Sequence, residues 1–405
     1  MTDESRSIEA EGGAPEFTER HLALLREGVP SDALLRTLST RAGIRGAPAA
    51  DFSDSGHPGI PADGEAVLYE RLGVAVINAA PAQIAFAKLA GAEAFPNLQR
   101  ERVHRALPES MAPAAIDSDA SERATTWGLQ STRVDVSEYF GAGARVCVLD
   151  SGIELEHPDV RPTRARSFTG AADVRDRVGH GTHCAGTVAG ARRPSRGPRY
   201  GIACDSELFI GKVFDTAEHW NRSTDGQLIA GIHWALEHHC EVVSMSFGEA
   251  PGDAYSEVFE RVARSALDAG TLLMASAGND SQRLQQPPLR QPVNHPANCP
   301  SILSVGALDP DLDVVISSNA GVRRAGGTID LVAPGANIHS AWKSPAFYTR
   351  RHGTSMAVPF VAGIAALWVE ATGLRGRALW QLLLAKARPL PRPAEDVGHG
   401  LIQAP

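Results

Sequence analysis

Short apolar runs separated by polar, glycine-rich punctuation fill the second part of the chain. ARVCVLD, ELFIGKVF, EVVSMSFG, TLLMASAG, SILSVGAL and IDLVAPG recur between residues 144 and 335, with helical stretches between them. That rhythm predicts an α/β fold, doubly wound, with a mainly parallel sheet and helices on both faces. The runs end in polar residues such as Asp150, Ser246 and Asn279. In open sheets of this kind, sites form at the carboxyl ends of the strands. A last apolar stretch, 356–369, follows Gly353-Thr354-Ser355 and predicts a buried helix. Its Gly and Pro interruptions and its length argue against a membrane span.

The first part reads differently. HLALLREG (21–28) has strand character, and residues 31–44 have helical spacing behind Ser31 as N-cap. Residues 45–65 are rich in Gly, Pro, Asp and Ser and read as loop. Residues 66–79 predict one or two strands, 80–91 a short helix, and 97–107 an edge strand. This is a small α+β unit of β-α-β-α-β order. The expected division is a disordered tail at 1–17, the α+β domain at 18–108, a linker at 109–124 and a catalytic domain at 125–405.

Composition narrows the classes. A net charge of −8 disfavours a general nucleic-acid binder. The acidic start, MTDESRSIEAEGG, lacks the pattern of a secretory signal. Cys147, Cys184, Cys204, Cys240 and Cys299 have no paired spacing and read as buried free thiols. A cytoplasmic location is therefore expected, with export by a non-classical route as the other option, and no membrane partner.

Four stretches carry candidate chemistry. Asp150 ends a strand before a Ser-Gly turn in VLDSGIELEHPDV; His180 opens GHGTHCAGTVAG; Asn279 follows a strand in SAGND; Ser355 stands at a helix start in GTSMAVPFVAG. Each alone reads as turn or cap chemistry. His180 and His183 could form half a zinc site, but no HExxH and no second pair with ligand spacing accompanies them. His183 reads instead as a core histidine, and His180 as the exposed one. Together, Asp, His and Ser in that chain order follow the order of subtilisin.

These blocks, with SMSFG and VAPG, resemble the signature blocks of the subtilisin-like serine peptidases (subtilases), from about residue 125 to 402. The resemblance implies a serine endopeptidase with a catalytic triad. Ser355 is its nucleophile, His180 the general base and Asp150 the residue that orients it. Asn279 becomes an oxyanion donor, supported by Thr354. It implies that Ser246, Phe247 and Gly248 pair with substrate backbone. Asp280 and Asn294 would line the primary pocket and Asp225 an outer subsite, with polar or basic residues tolerated before the scissile bond. No cofactor is expected. Loop 190–208 carries Arg and Pro where calcium-binding relatives have oxygen ligands, so Asp159 alone makes a poor calcium site and no metal is expected. Val358 and Phe360 replace commoner family residues beyond the nucleophile.

By pattern and position, the first unit resembles a subtilase propeptide. The resemblance implies an intramolecular inhibitor, a zymogen, and a processing site in the linker. A peptide or protein substrate and a monomer are expected. The alternatives are a peptide transpeptidase or macrocyclase, disfavoured because no long insertion separates the blocks, and a catalytically silent peptide-binding protein, disfavoured by the complete set of residues.

Overall fold

The computed structural model describes residues 16–26, 30–52, 59–90, 97–105, 124–214, 222–251, 254–322 and 327–405. The N-terminal elements are β1 (Phe17–Leu24), α1 (Ser31–Ala42), β2 (Arg45–Pro48), β3 (Glu65–Tyr69), β4 (Val74–Asn78), α2 (Pro81–Ala90) and β5 (Asn97–Arg105). Next come α3 (Trp127–Ser131), β6 (Arg145–Asp150), β7 (Arg164–Ser167), α4 (His180–Ala189), β8 (Glu207–Lys212), β9 (Arg222–Thr224) and α5 (Asp225–Glu237). After these lie β10 (Val242–Met245), α6 (Glu257–Asp268), β11 (Leu272–Ser276), β12 (Leu303–Leu308) and β13 (Leu331–Pro334). The chain ends with β14 (Ile338–Ala341), β15 (Tyr348–Arg351), α7 (Thr354–Thr372), α8 (Gly376–Lys386) and α9 (Ala394–Val397).

Period-two alternation sorts the N-terminal strands into two faces. Ala23, Leu68, Ala75 and Ile77 pack with Leu34, Leu38 and Ile84 of α1 and α2. Their neighbours Leu22, Val67, Tyr69, Val74 and Val76 belong to the core of the second unit. Neither face is left to solvent. Several expectations change here. The stretch 45–65 contains β2, which pairs in parallel with β3. Residues 66–79 resolve into two strands, Phe17 begins β1 rather than ending a tail, and Pro30, not Ser31, is the N-cap of α1. Residues 106–123 lie outside the described residues, and with them all of the 109–124 linker but its last residue, including the expected processing site.

The second unit is built on a seven-stranded sheet in the order β13-β12-β11-β10-β6-β8-β7. All its adjacent pairs are parallel. Chain order reverses between β6 and β10, so the crevice beyond their carboxyl ends is the topological switch point. Helices α4 and α7 pack on each other and on this sheet, and α5 and α6 touch both this sheet and the N-terminal one. The second unit lends the N-terminal sheet its sixth strand, because β9 pairs antiparallel with β5 through Val103↔Thr224, His104↔Ser223 and Arg105↔Arg222, in the order β2-β3-β4-β1-β5-β9. β5, expected as an edge strand, is therefore an internal strand between β1 and β9.

Helix α7 runs for 19 residues, longer than its interrupted pattern indicates, and is apolar enough by length and composition to cross a membrane. Here 83% of its apolar window is buried, against β10 to β13 and α4.

Candidate active site

At the end of β6, Asp150 is only 2% exposed. Its Oδ1 accepts from the Ser151 N–H at 2.7 Å and lies 2.7 Å from His180 Nδ1. His180 does open α4, but it is 4% exposed rather than the exposed histidine of the pair. The cause is an enclosed helix start. Gly179 precedes it with φ 105°, and a Cβ there would stand 2.5 Å from the Trp342 ring. His183 is a core histidine whose Nε2 is 3.0 Å from the Ile338 carbonyl.

Pattern reading missed Asp176, which holds this corner. Its carboxylate accepts from the N–H groups of Val178, Gly179 and Thr182 and from the Ser151 and Thr182 hydroxyls, at 2.7–3.0 Å. A buried carboxylate at the start of α4 satisfies donors the helix cannot and favours its dipole. Asp176 stands four residues before His180 and three before the N-cap Gly179, outside any capping-box position, so local pattern carried no signal for it.

Ser355 is the second residue of α7 and fully buried. Its hydroxyl donates to the Ser246 carbonyl at 3.1 Å, so it is not a simple cap. Pro359 looks from sequence as if it sits where a missing N–H costs least. In the helix it is the residue whose N–H would bond the Ser355 carbonyl. That carbonyl accepts instead from Ser246 Oγ at 2.8 Å and Cys184 Sγ at 3.7 Å. The Ser246 side chain therefore holds the backbone of Ser355. Cys184 is also 4.0 Å from His180 Nδ1. It sits between the two residues, and burial pushes its thiol pKa up to about 11, so it stays protonated.

Asn279 is half-buried, and its Oδ1 accepts from Thr354 N–H at 2.9 Å and Thr354 Oγ1 at 3.0 Å. Those two bonds fix the amide so that Nδ2 is its donor end. Nδ2 lies 3.0 Å from where a Cβ on Gly353 would be, and Gly353 has φ 140°. Any side chain there would push the amide aside. The Thr354 hydroxyl in turn accepts from the Gly278 N–H at 3.2 Å.

The remaining expected residues fall into three groups. Phe247 is buried, with its carbonyl taken by Ser276 Oγ at 3.0 Å, and Gly248 packs against Asn294 and His295. Asp280 Oδ2 accepts from the amides of Asn294 at 2.9 Å and Asn319 at 3.0 Å, forming a hydrogen-bonded block beside Asn279. Asn319 was missed, since an isolated asparagine in ISSNAG reads as a turn. Asp225 is elsewhere: fully buried, it accepts from Arg102 N–H at 2.8 Å and lies 2.6 Å from His104. It meets the N-terminal unit, not the Asp150–His180 pair. His352 accepts from the Asn337 N–H at 3.1 Å.

Asp159 accepts from Ser195 N–H and Oγ at 2.7 Å, Tyr200 at 3.0 Å and Tyr348 at 2.8 Å. Burial raises its pKa, but those bonds outweigh burial and hold it below 3.8. Protein donors surround this carboxylate where a cation could otherwise balance it. All five cysteines are free, and Cys204 is half-buried where full burial was expected.

A model described as the Subtilase family matches residues 141–400. The chain is 35% identical over 263 residues to the thermostable alkaline protease of Halalkalibacterium halodurans, covering 62% of this chain and 66% of that one. It is 31% identical over 240 residues to subtilisin DY of Bacillus licheniformis, covering 59% and 81%. It is 35% identical over 231 residues to subtilisin E of Bacillus subtilis, covering 56% of each.

Proposed function

The chain belongs to the subtilase family, and from that premise we propose that it is a serine endopeptidase acting through an acyl-enzyme on Ser355. The observation that carries this reading is the buried 2.7 Å contact between His180 Nδ1 and Asp150 Oδ1, with Cys184 bridging the space from His180 to Ser355. A carboxylate can only accept, so the imidazole proton sits on Nδ1 and the lone pair on Nε2. The Ser355 hydroxyl turns from the Ser246 carbonyl toward that nitrogen. Its oxygen attacks the peptide carbonyl as its proton passes to His180, and Asp150 stabilises the imidazolium. His180 then gives the proton to the leaving amine. Water, deprotonated in the same way, releases the acid. Asn279 Nδ2 and the backbone N–H of Ser355 face the developing oxyanion.

The N-terminal unit fits an intramolecular inhibitor. It docks on the starts of two helices. Glu101 Oε1 accepts from Gly226 N–H of α5 at 2.9 Å, and Gln99 donates to Ser256 Oγ before α6 at 3.0 Å. Arg20 Nε balances Glu101 at 2.6 Å. Meanwhile β5 occupies the β9 edge, the kind of edge along which an extended substrate adds. The free thiols fit a reducing compartment.

The test compares wild type with Ser355→Ala. Wild type is expected to lose its N-terminal unit by mass spectrometry and to react with a fluorophosphonate probe, whereas Ser355→Ala stays full-length and unlabelled. Equal lengths remove self-processing. An absence of labelling in wild type, with the N-terminal unit removed as well, removes the peptidase reading.

A further inference from the structure

Three side chains with donor atoms suited to a metal meet where the N-terminal unit docks. His104 comes from β5, Asp225 opens α5, and His295 lies in the loop between β11 and β12. All three are buried, and their ligand atoms lie within 4.8 Å of one another. His104 Nε2 and Asp225 Oδ1 are 2.6 Å apart. His295 is fully buried, with the Asn298 amide as the one polar neighbour of its ring, and His104 Nδ1 has no hydrogen-bond partner. Buried polar atoms are normally satisfied, so the orphaned imidazole nitrogen calls for a partner.

We propose that His104, Asp225 and His295 form a site for a zinc-class divalent cation that ties the N-terminal unit to the second unit. Two imidazoles and one carboxylate are the donor set of such ions rather than of calcium. Zinc–nitrogen bonds of about 2.0–2.1 Å place tetrahedral ligand atoms roughly 3.3 Å apart, so the 2.6 Å His104–Asp225 pair opens to admit the ion, and the remaining separations already lie within 4.8 Å. The surround is apolar: the Phe259 ring is 4.8 Å from His295 and 6.1 Å from His104, and Phe247 is 6.3 Å from His104. Arg102 is the opposing positive charge, and Asp225 offsets it. The ligands come from three separate segments, so no sequence spacing announces them. If the inhibitory reading of the N-terminal unit holds, bound metal delays its release; binding itself does not depend on that reading.

The test uses full-length Ser355→Ala, in which the units stay joined, with zinc equilibrium dialysis and cobalt(II) absorption. Asp150, His180 and Cys184 form a second group of metal-ligating type, so the assay must separate the two. Expected are one equivalent of zinc at micromolar concentration and a cobalt spectrum without a thiolate charge-transfer band. Affinity should fall at least tenfold in His104→Gln and in His295→Gln, and persist in Cys184→Ala. No bound metal, a thiolate band, or undiminished affinity in both histidine variants overturns the proposal. Should His295→Gln fail to fold, His104→Gln and the parent cobalt spectrum decide. Failed fluorophosphonate labelling in wild type bears on the peptidase reading alone.

Discussion

Pro359 removes the N–H that would bond the Ser355 carbonyl, and Ser246 Oγ replaces it from β10's end at 2.8 Å. Ser246→Ala should leave that buried carbonyl with only the Cys184 thiol, a weak donor at 3.7 Å. A buried acceptor that loses its partner costs about 1–3 kcal/mol. Pro359→Ala restores the helical donor, so in that background Ser246→Ala should cost under about 0.5 kcal/mol, near the limit of additivity for independent sites. The coupling energy is therefore about 0.5–2.5 kcal/mol or more. The assay is urea unfolding of the four combinations, all carrying Ser355→Ala to prevent autolysis, which leaves the carbonyl in place. Equal costs of Ser246→Ala in the two backgrounds would refute the compensation.

Asn279→Ala is expected to lower kcat by about 10²–10³ with KM little changed, a range measured for the corresponding loss in subtilisin itself; steady-state kinetics check it, and a change confined to KM contradicts the oxyanion role. Asp159→Asn, in the Ser355→Ala background, should lower stability at pH 7 by about 1–3 kcal/mol, because Ser195, Tyr200 and Tyr348 lose a charged acceptor. The folded pKa of Asp159 lies below 3.8, so its contribution is complete above that pH and fades as pH falls through the folded value. Unfolding midpoints of the two proteins should converge on acidification, and a constant gap would exclude the charge as the cause.

Local pattern made much of this molecule legible. The six apolar runs became six of the seven parallel strands, because a strand buried on both faces is mostly apolar. Only β7, a short edge strand of Arg-Ala-Arg-Ser, escaped, since an edge can be polar. Likewise β2 escaped because its Gly, Ala and Pro look like loop, and only pairing with β3 makes it a strand. Asp150, His180, Asn279 and Ser355 were legible as residues with a chemistry, each at an element boundary.

Partners were another matter. Sequence placed His180 at a helix start, but the Trp342 ring over Gly179 and the Asp176 network decided that it is buried. Sequence offered the Ser246 backbone as a substrate contact and said nothing of its hydroxyl, which the proline one helical turn past Ser355 leaves to serve the Ser355 carbonyl. Asp225 could be read only as a pocket residue until β5 was seen lying on β9 with His104 against it. The sequence by itself determined which segments fold and which residues can react, because those follow from neighbours within a turn or a strand. Tertiary structure decided which donors meet which acceptors, because those partners lie up to more than a hundred residues apart and no local period encodes them.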